Sequence, residues 1–167
     1  QETTPWACAL SVGLAGALQG DMRSGDLVAD LQGADMTLIE SARETAAALG
    51  APIHFGKIAH AERVLATPAE KADFARGLRA AAVDMESLPL RHWAQRRDIP
   101  FYAVRVILDA AGDTLPREIP AGEGFLDLAR YAIGNIGDLP LLLSTGLKQR
   151  NAMRALSSFL EAFLARL

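Results

Sequence analysis

Two carboxylate-bearing junctions hold the residues best placed to do chemistry. In Ala81-Ala82-Val83-Asp84-Met85-Glu86-Ser87 a short apolar run stops at a pair of acids, and a helical pattern begins at once. Leu88, Leu90, Trp93 and Ala94 fall on one face of that helix and Arg91, Gln95 and Arg96 on the other. A carboxylate where a buried strand becomes a helix faces free backbone N–H groups and the positive end of the helix dipole. It can stay ionised while largely enclosed, ready to accept hydrogen bonds from a ligand's hydroxyls. The same position equally suits a capping acid, with Asp84 or Glu86 closing off the first amides. The second junction follows Phe101-Tyr102-Ala103-Val104-Arg105-Val106-Ile107-Leu108, a β-branched apolar run broken only by Arg105. That run reads as a strand buried on both faces of a parallel sheet. It ends in Asp109-Ala110-Ala111-Gly112-Asp113, a loop of small residues with an acid at each end. Ligands of open α/β sheets gather beyond the carboxyl ends of strands, so the fold would deliver Glu86 and Asp109 to one rim.

The elements that must position these acids alternate along the chain. Trp6–Val12 reads as a buried strand, giving way to a glycine-rich turn at Gly13-Leu14-Ala15-Gly16-Ala17-Leu18, where the backbone can approach a flat ring or an anion. Tight packing of a turn would use the same glycines. Met22–Asp30 gives a turn and a short strand. Thr37–Leu49 is an amphipathic helix ended by Gly50, and Pro52–Ala61 returns to strand. His54 and His60 on that strand lack metal-like spacing and read as surface or loop residues, so no metal site is expected. Thr67 as N-cap, Pro68 at the first helical position and Glu70 three after the cap start a helix reaching about Arg79. Beyond Asp113 comes a Pro/Gly loop over Thr114–Gly124 and a mostly helical remainder. The last helix, from about Lys148, carries Ala152, Leu156, Phe159, Leu160, Phe163 and Leu167 on one stripe. Leu139-Pro140-Leu141-Leu142-Leu143 is a greasy connection suited to an apolar pocket or a subunit contact. The alternation predicts one α/β domain over 1–167, three-layer α/β/α with a mixed, mostly parallel central sheet.

Composition narrows the partners. A chain of 167 residues, half of them hydrophobic, buries a useful core. A net charge of −3 argues against a nucleic-acid surface. The single cysteine, Cys8, rules out an intrachain disulfide framework and points to a reducing, cytoplasmic setting. No apolar stretch is long enough to span a bilayer. A mean hydropathy of +0.14 suggests an apolar surface covered by a second subunit, by further chain, or by a lipid-like ligand.

Taken in order, Gly13-Leu14-Ala15-Gly16-Ala17-Leu18, Val83-Asp84-Met85-Glu86-Ser87 and Arg105-Val106-Ile107-Leu108-Asp109 resemble the purine nucleoside phosphorylase and methylthioadenosine nucleosidase superfamily. Within it they are most similar to the hopanoid-associated phosphorylase branch. The resemblance implies cleavage of the N-glycosidic bond of a purine nucleoside. Met85 would pack on the sugar, Glu86 would bind ribose hydroxyls, and Asp84 belongs to the same substrate-binding motif. Asp109 would be the catalytic acid at N7 of the departing purine, and Ala15 and Gly16 would lie beside the base. Such chemistry suits these residue types: bond breaking puts positive charge on the ribose and negative charge on the purine, calling for a fixed anion at one end and an acid at the other.

The resemblance further implies a dimer, no cofactor, and phosphate as a possible co-substrate. Leu14 stands where many phosphorylases have a Ser or Thr contacting phosphate, which favours hydrolysis. The family pattern places a strand, a Gly-rich loop and, in nucleosidases, a water-orienting glutamate ahead of the residues matched, so an N-terminally short domain is expected. Two classes of function remain. One is an enzyme releasing adenine from a nucleoside with a large apolar 5′ substituent, such as adenosylhopane, with methylthioadenosine, adenosylhomocysteine or futalosine as competing substrates. The other is a non-catalytic remnant that binds nucleosides.

Overall fold

Runs of alanine, valine and isoleucine supply strands that can be covered on both faces, and the chain uses them to build one sheet. The computed structural model describes residues 6–115 and 139–166. Among the described residues there are six strands: β1 (Ala9–Ala17), β2 (Leu27–Asp30), β3 (Ile53–Phe55), β4 (Lys57–His60), β5 (Ala80–Asp84) and β6 (Phe101–Asp109). With them come helices α1 (Met36–Ala48), α2 (Pro68–Ala75), α3 (Ser87–Gln95) and α4 (Leu139–Leu164). The strands are ordered β3-β2-β6-β1-β5-β4. Pairs β1/β6, β2/β3 and β4/β5 are parallel, while β1/β5 and β2/β6 are antiparallel. This is the α/β class expected, with a mixed and mostly parallel sheet.

The sheet is more strongly curled than strand–helix alternation suggests. Its two edge strands, β3 and β4, are separated in sequence by Gly56 alone. Gly56 N–H donates to Ala29 O on β2 (3.1 Å), and the Ile58 amide on β4 donates to Asp30 Oδ2 (3.3 Å), so the edges are drawn together. The expected single strand over Pro52–Ala61 is therefore two, each paired to a different neighbour. Inside the curl, Ala15, Ala17, Val28, Ile58, Ala82, Ala103 and Ile107 form a core contributed by strands, with Met22 from a loop. Small side chains let the strands approach closely there.

The second core lies between sheet and helices. Leu27, Val104 and Val106 meet Ala42 and Ala46 of α1 and Ala152, Leu156, Phe159 and Phe163 of α4. Phe159 and Phe163 stack at 5.3 Å, and burial of each is worth roughly 1.5–3 kcal/mol. The stripe read from the sequence is thus the packed face of α4. Leu167 and the side chains of Leu139–Leu143 lie outside the described residues, as does most of the Thr114–Gly124 loop; the backbone of Leu139–Leu143 opens α4 rather than connecting to it.

Local signals set most helix ends. Asp35 caps α1 by accepting from the Leu38 amide at 2.8 Å, and the chain leaves that helix at Gly50 with φ 63°. Helix α2 ends at Ala75, earlier than the periodicity suggests, because Gly77 turns the chain at φ 80°. Gly13–Ala17, expected as a turn, continues β1. Pairing with β6 on one side, and with β5 at Gly16 and Ala17 on the other, outweighs the weak strand preference of glycine. Among the described residues no helix is long and apolar enough to cross a membrane.

Candidate active site

Strand β5 carries an acid to its last residue, Asp84, whose burial demands a partner. Arg105, the one cation of β6, supplies it: Nε and Nη2 reach Asp84 Oδ2 at 2.8 and 2.6 Å. Arg105 Nη2 also donates to Ser11 Oγ at 2.7 Å, and the side chain is fully enclosed. Asp84 Oδ1 accepts from the Ser87 hydroxyl at 2.7 Å, fixing the turn into α3. Asp84 therefore lines the site with both carboxylate oxygens already engaged. It braces the end of β5 against β6 and the start of α3.

That arrangement releases Glu86 from capping duty. It occupies the N-cap position of α3 without making a side-chain cap bond, and it is exposed beside Met85, itself 46% exposed. Its Oε2 lies 3.0 Å from where a Cβ on Gly13 would stand, with the Arg105 guanidinium next to that position. Asp109 has a matching glycine: a Cβ on Gly16 would meet Oδ1 and Oδ2 at 3.3 Å. The register explains how. Ala15 pairs with Ile107 but Gly16 pairs with Asp109, so Leu108 is an extra residue on β6 and the bulge brings Asp109 opposite Gly16. Gly13 and Gly16 are three strand residues apart, roughly 10 Å, and each leaves room for one acid.

All six residues singled out from the sequence, Ala15, Gly16, Asp84, Met85, Glu86 and Asp109, line one cleft of about 290 Å³. Leu14, Val64, Leu65, Leu108 and Leu115 make its other walls mainly apolar. Asp109 is 3% exposed. Burial pushes its carboxyl above the ordinary aspartate range, and the adjacent Lys71 ammonium only partly offsets this. Asp113 is shifted the other way: Lys148 Nζ, 2.7 Å from its Oδ2, holds its carboxyl below the usual range.

Sequence reasoning assigned no role to Lys71, Arg105 or the apolar walls. Arg105 was legible as a charge inside a buried strand, which must find a counter-charge. Lys71 gave a subtler signal, a cation in the first turns of a helix, against the dipole. Of the histidines, His60 Nδ1 lies 3.9 Å from Asp84, and His54 lies between Asp21 and Asp26 on β3. Among the described residues there is no cluster of His, Cys, Asp or Glu able to hold a metal.

Several solved structures share this fold. The chain superposes on a futalosine hydrolase of Helicobacter pylori with a TM-score of 0.67 at 17% identity, covering 96% of this chain and 69% of that one. A 5′-methylthioadenosine/S-adenosylhomocysteine nucleosidase of Neisseria meningitidis, in complex with methylthio-immucillin-A, gives 0.70 at 18%, covering 96% and 70%. The corresponding nucleosidase of Colwellia psychrerythraea, in complex with adenine, gives 0.68 at 16%, covering 96% and 67%. Comparison with curated proteins returns no match. The sequence pattern of the phosphorylase superfamily, however, matches residues 32–130, more than half of the chain and the stretch that holds Asp84, Glu86, Lys71 and Asp109, so the chain belongs to that superfamily.

Proposed function

We propose that the protein cleaves the N-glycosidic bond of an adenine nucleoside bearing a large apolar 5′ substituent, such as adenosylhopane, and releases adenine. The observation that carries this reading is the pair of acids set over Gly13 and Gly16 in a single cleft. Asp109, whose hold on a proton is strengthened by burial, donates to N7 of the purine. The electron pair of the breaking C1′–N9 bond then stays with a neutralised base. Glu86 accepts hydrogen bonds from the ribose hydroxyls and offsets the positive charge growing on the sugar. Met85 packs on the sugar, and Ala15 and Gly16 border the base. Leu14, Val64, Leu65 and Leu115 favour a greasy substituent, and Leu14 leaves no hydroxyl for a phosphate, which favours water over phosphate as the nucleophile.

The test is release of free adenine from a panel of nucleosides, each with and without phosphate: one carrying a long apolar 5′ group, methylthioadenosine, adenosylhomocysteine, and futalosine for its own base. The lipid-like nucleoside should turn over fastest, without need of phosphate. Asp109→Asn should keep ligand binding and lose turnover by on the order of 10²–10⁴-fold. Faster cleavage of methylthioadenosine, adenosylhomocysteine or futalosine would transfer the assignment to that substrate. Absence of cleavage under every condition would mark a nucleoside-binding remnant.

The working form we propose is a homodimer. Val12 stands 41% exposed although β1 is an interior strand, and Met85 is exposed at the cleft mouth, so a second copy covering them would complete the site. Light scattering should return twice the 17.8 kDa chain mass, and a monomer at assay concentration would refute this.

A further inference from the structure

We infer that Lys71 is the positioning residue for Asp109: its buried ammonium is the fixed counter-charge that receives the negative charge left when Asp109 gives up its proton. The inference rests on the acid role assigned to Asp109 above. Lys71 is 2% exposed, among the most deeply buried side chains described, and it lines the same cleft. A lysine so enclosed needs fixed polar or charged partners in place of water. It occupies the first turns of α2, where the helix dipole opposes a cation, so helix stability does not account for it.

Its contacts divide into two kinds. Nζ donates to the carbonyls of Ala110 (2.6 Å) and Asp113 (3.2 Å), which fix the ammonium in place. The charge itself abuts Asp109 Oδ2. Among the described residues Oδ2 is buried with no partner other than that ammonium. The carbonyl bonds alone would pin the loop to α2, and they require no carboxylate beside them. Placing the ammonium against Asp109 adds an electrostatic effect that acts only once that oxygen is charged.

The O–H bond of Asp109 breaks, an N–H bond forms at N7, and the O–H electron pair remains on the carboxylate while Lys71 keeps all its protons. After the base departs with the C1′–N9 electron pair, water bonds to C1′ and the proton it loses returns to Asp109. Among the described residues the charged groups facing Asp109 are Lys71 from α2, Asp113 from the loop after β6, and Lys148 from α4, which is paired to Asp113; β1 presents Gly16.

Lys71→Gln can keep a donor toward the carbonyls and removes the charge. An opposite charge within ~4–6 Å lowers a carboxyl pKa by roughly 1–3 units, so its loss should move the basic limb of the kcat/KM profile up by about that much. Turnover on the plateau should fall on the order of 10-fold, because the acid is weaker. Lys71→Arg retains charge and should leave the limb near its wild-type position. The Asp109 carboxyl stretch, identified by its loss in Asp109→Asn and titrated by infrared difference spectroscopy without substrate, should shift with Lys71→Gln and not with Lys71→Arg. An unmoved limb and unmoved titration in Lys71→Gln, or equal shifts in both variants, would overturn the inference. If wild type cleaves no nucleoside while the infrared titration still responds to Lys71→Gln, the coupling stands and the catalytic reading is what fails.

Discussion

Gly13 and Gly16 do their work by omission. Each leaves the volume that a neighbouring acid occupies, and the two acids carry different halves of the proposed chemistry, so the glycines should be separable by kinetics. Alanine at Gly16 would press on both Asp109 oxygens at 3.3 Å and displace the carboxyl by a few tenths of an ångström. Misplacing an acid by that amount should lower kcat by roughly 10-fold with little change in KM. Alanine at Gly13 would meet Glu86 Oε2 at 3.0 Å, the movable tip of an exposed side chain, and should act mainly on ribose binding, raising KM several-fold. Circular dichroism should report a native fold for both. The prediction fails if the two substitutions give the same split between kcat and KM. Asp109 also shapes the response to pH. Its carboxyl holds a proton more tightly in the fold than in the unfolded chain, so its contribution to stability declines as pH rises from the ordinary aspartate range through the raised value.

Helix α2 shows how a local sequence signal serves a remote site. The Thr67 hydroxyl accepts from the Glu70 amide at 3.2 Å, while Glu70 Oε2 accepts from the Thr67 and Ala66 amides at 3.0 Å each, closing a capping box one residue before Lys71. Thr67→Ala should destabilise the protein by about 1 kcal/mol, read from the midpoint of urea denaturation. Because Lys71 follows the cap directly, turnover should fall with it. Arg63, 2.8 Å from Glu70, together with the cap amides holds the Glu70 carboxyl down to about 2 from the ordinary 4.5. A lowered carboxyl stabilises the fold above 4.5 and loses that effect as pH falls toward about 2, so Glu70→Gln should flatten the acid limb of stability in that window. An unaltered acid limb would mean that the box contributes nothing in solution. This helix also marks what could be read in advance. Thr67, Pro68 and Glu70 announce its start because capping is decided within four residues. The stripe on α4 announces its buried face through periodicity, and the ordered motifs around Glu86 and Asp109 pointed to one cleft. Two features stayed hidden because their causes lie far away in sequence. Lys71 meets Asp109 only when α2 packs beside the end of β6, and the bulge at Leu108 is a matter of register with β1.

Curling of the sheet brings every wall of the cleft together, and Gly56 is where the curl closes. The chain leaves β3 at Phe55, paired with β2, and by Lys57 has entered β4, paired with β5 at the far end of the strand order. Asp30 secures the seam, accepting from the Ile58 amide at 3.3 Å and from Arg91 of α3 at 2.8 Å. A Cβ on Gly56 would stand 2.9 Å from Cβ of Ala81, a buried residue of β5 with no flexible tip to swing aside. Backbone must therefore move, and the strand that moves, β5, ends at Asp84, the partner of Arg105 and Ser87. Gly56→Ala should cost about 1–3 kcal/mol in chemical denaturation, the usual penalty for forcing a methyl into a packed interior. It should also lower nucleoside turnover at temperatures where the variant is fully folded, because Glu86 leaves the sheet two residues after Asp84 and follows any displacement of β5. Alanine at Gly25 is the control: that glycine has φ 98° but open space around it, so substitution strains the backbone locally without touching β5. Lower stability in both variants with lower turnover in Gly56→Ala alone is the expected pattern, and equal loss of turnover in the two would show that the seam does not govern the site.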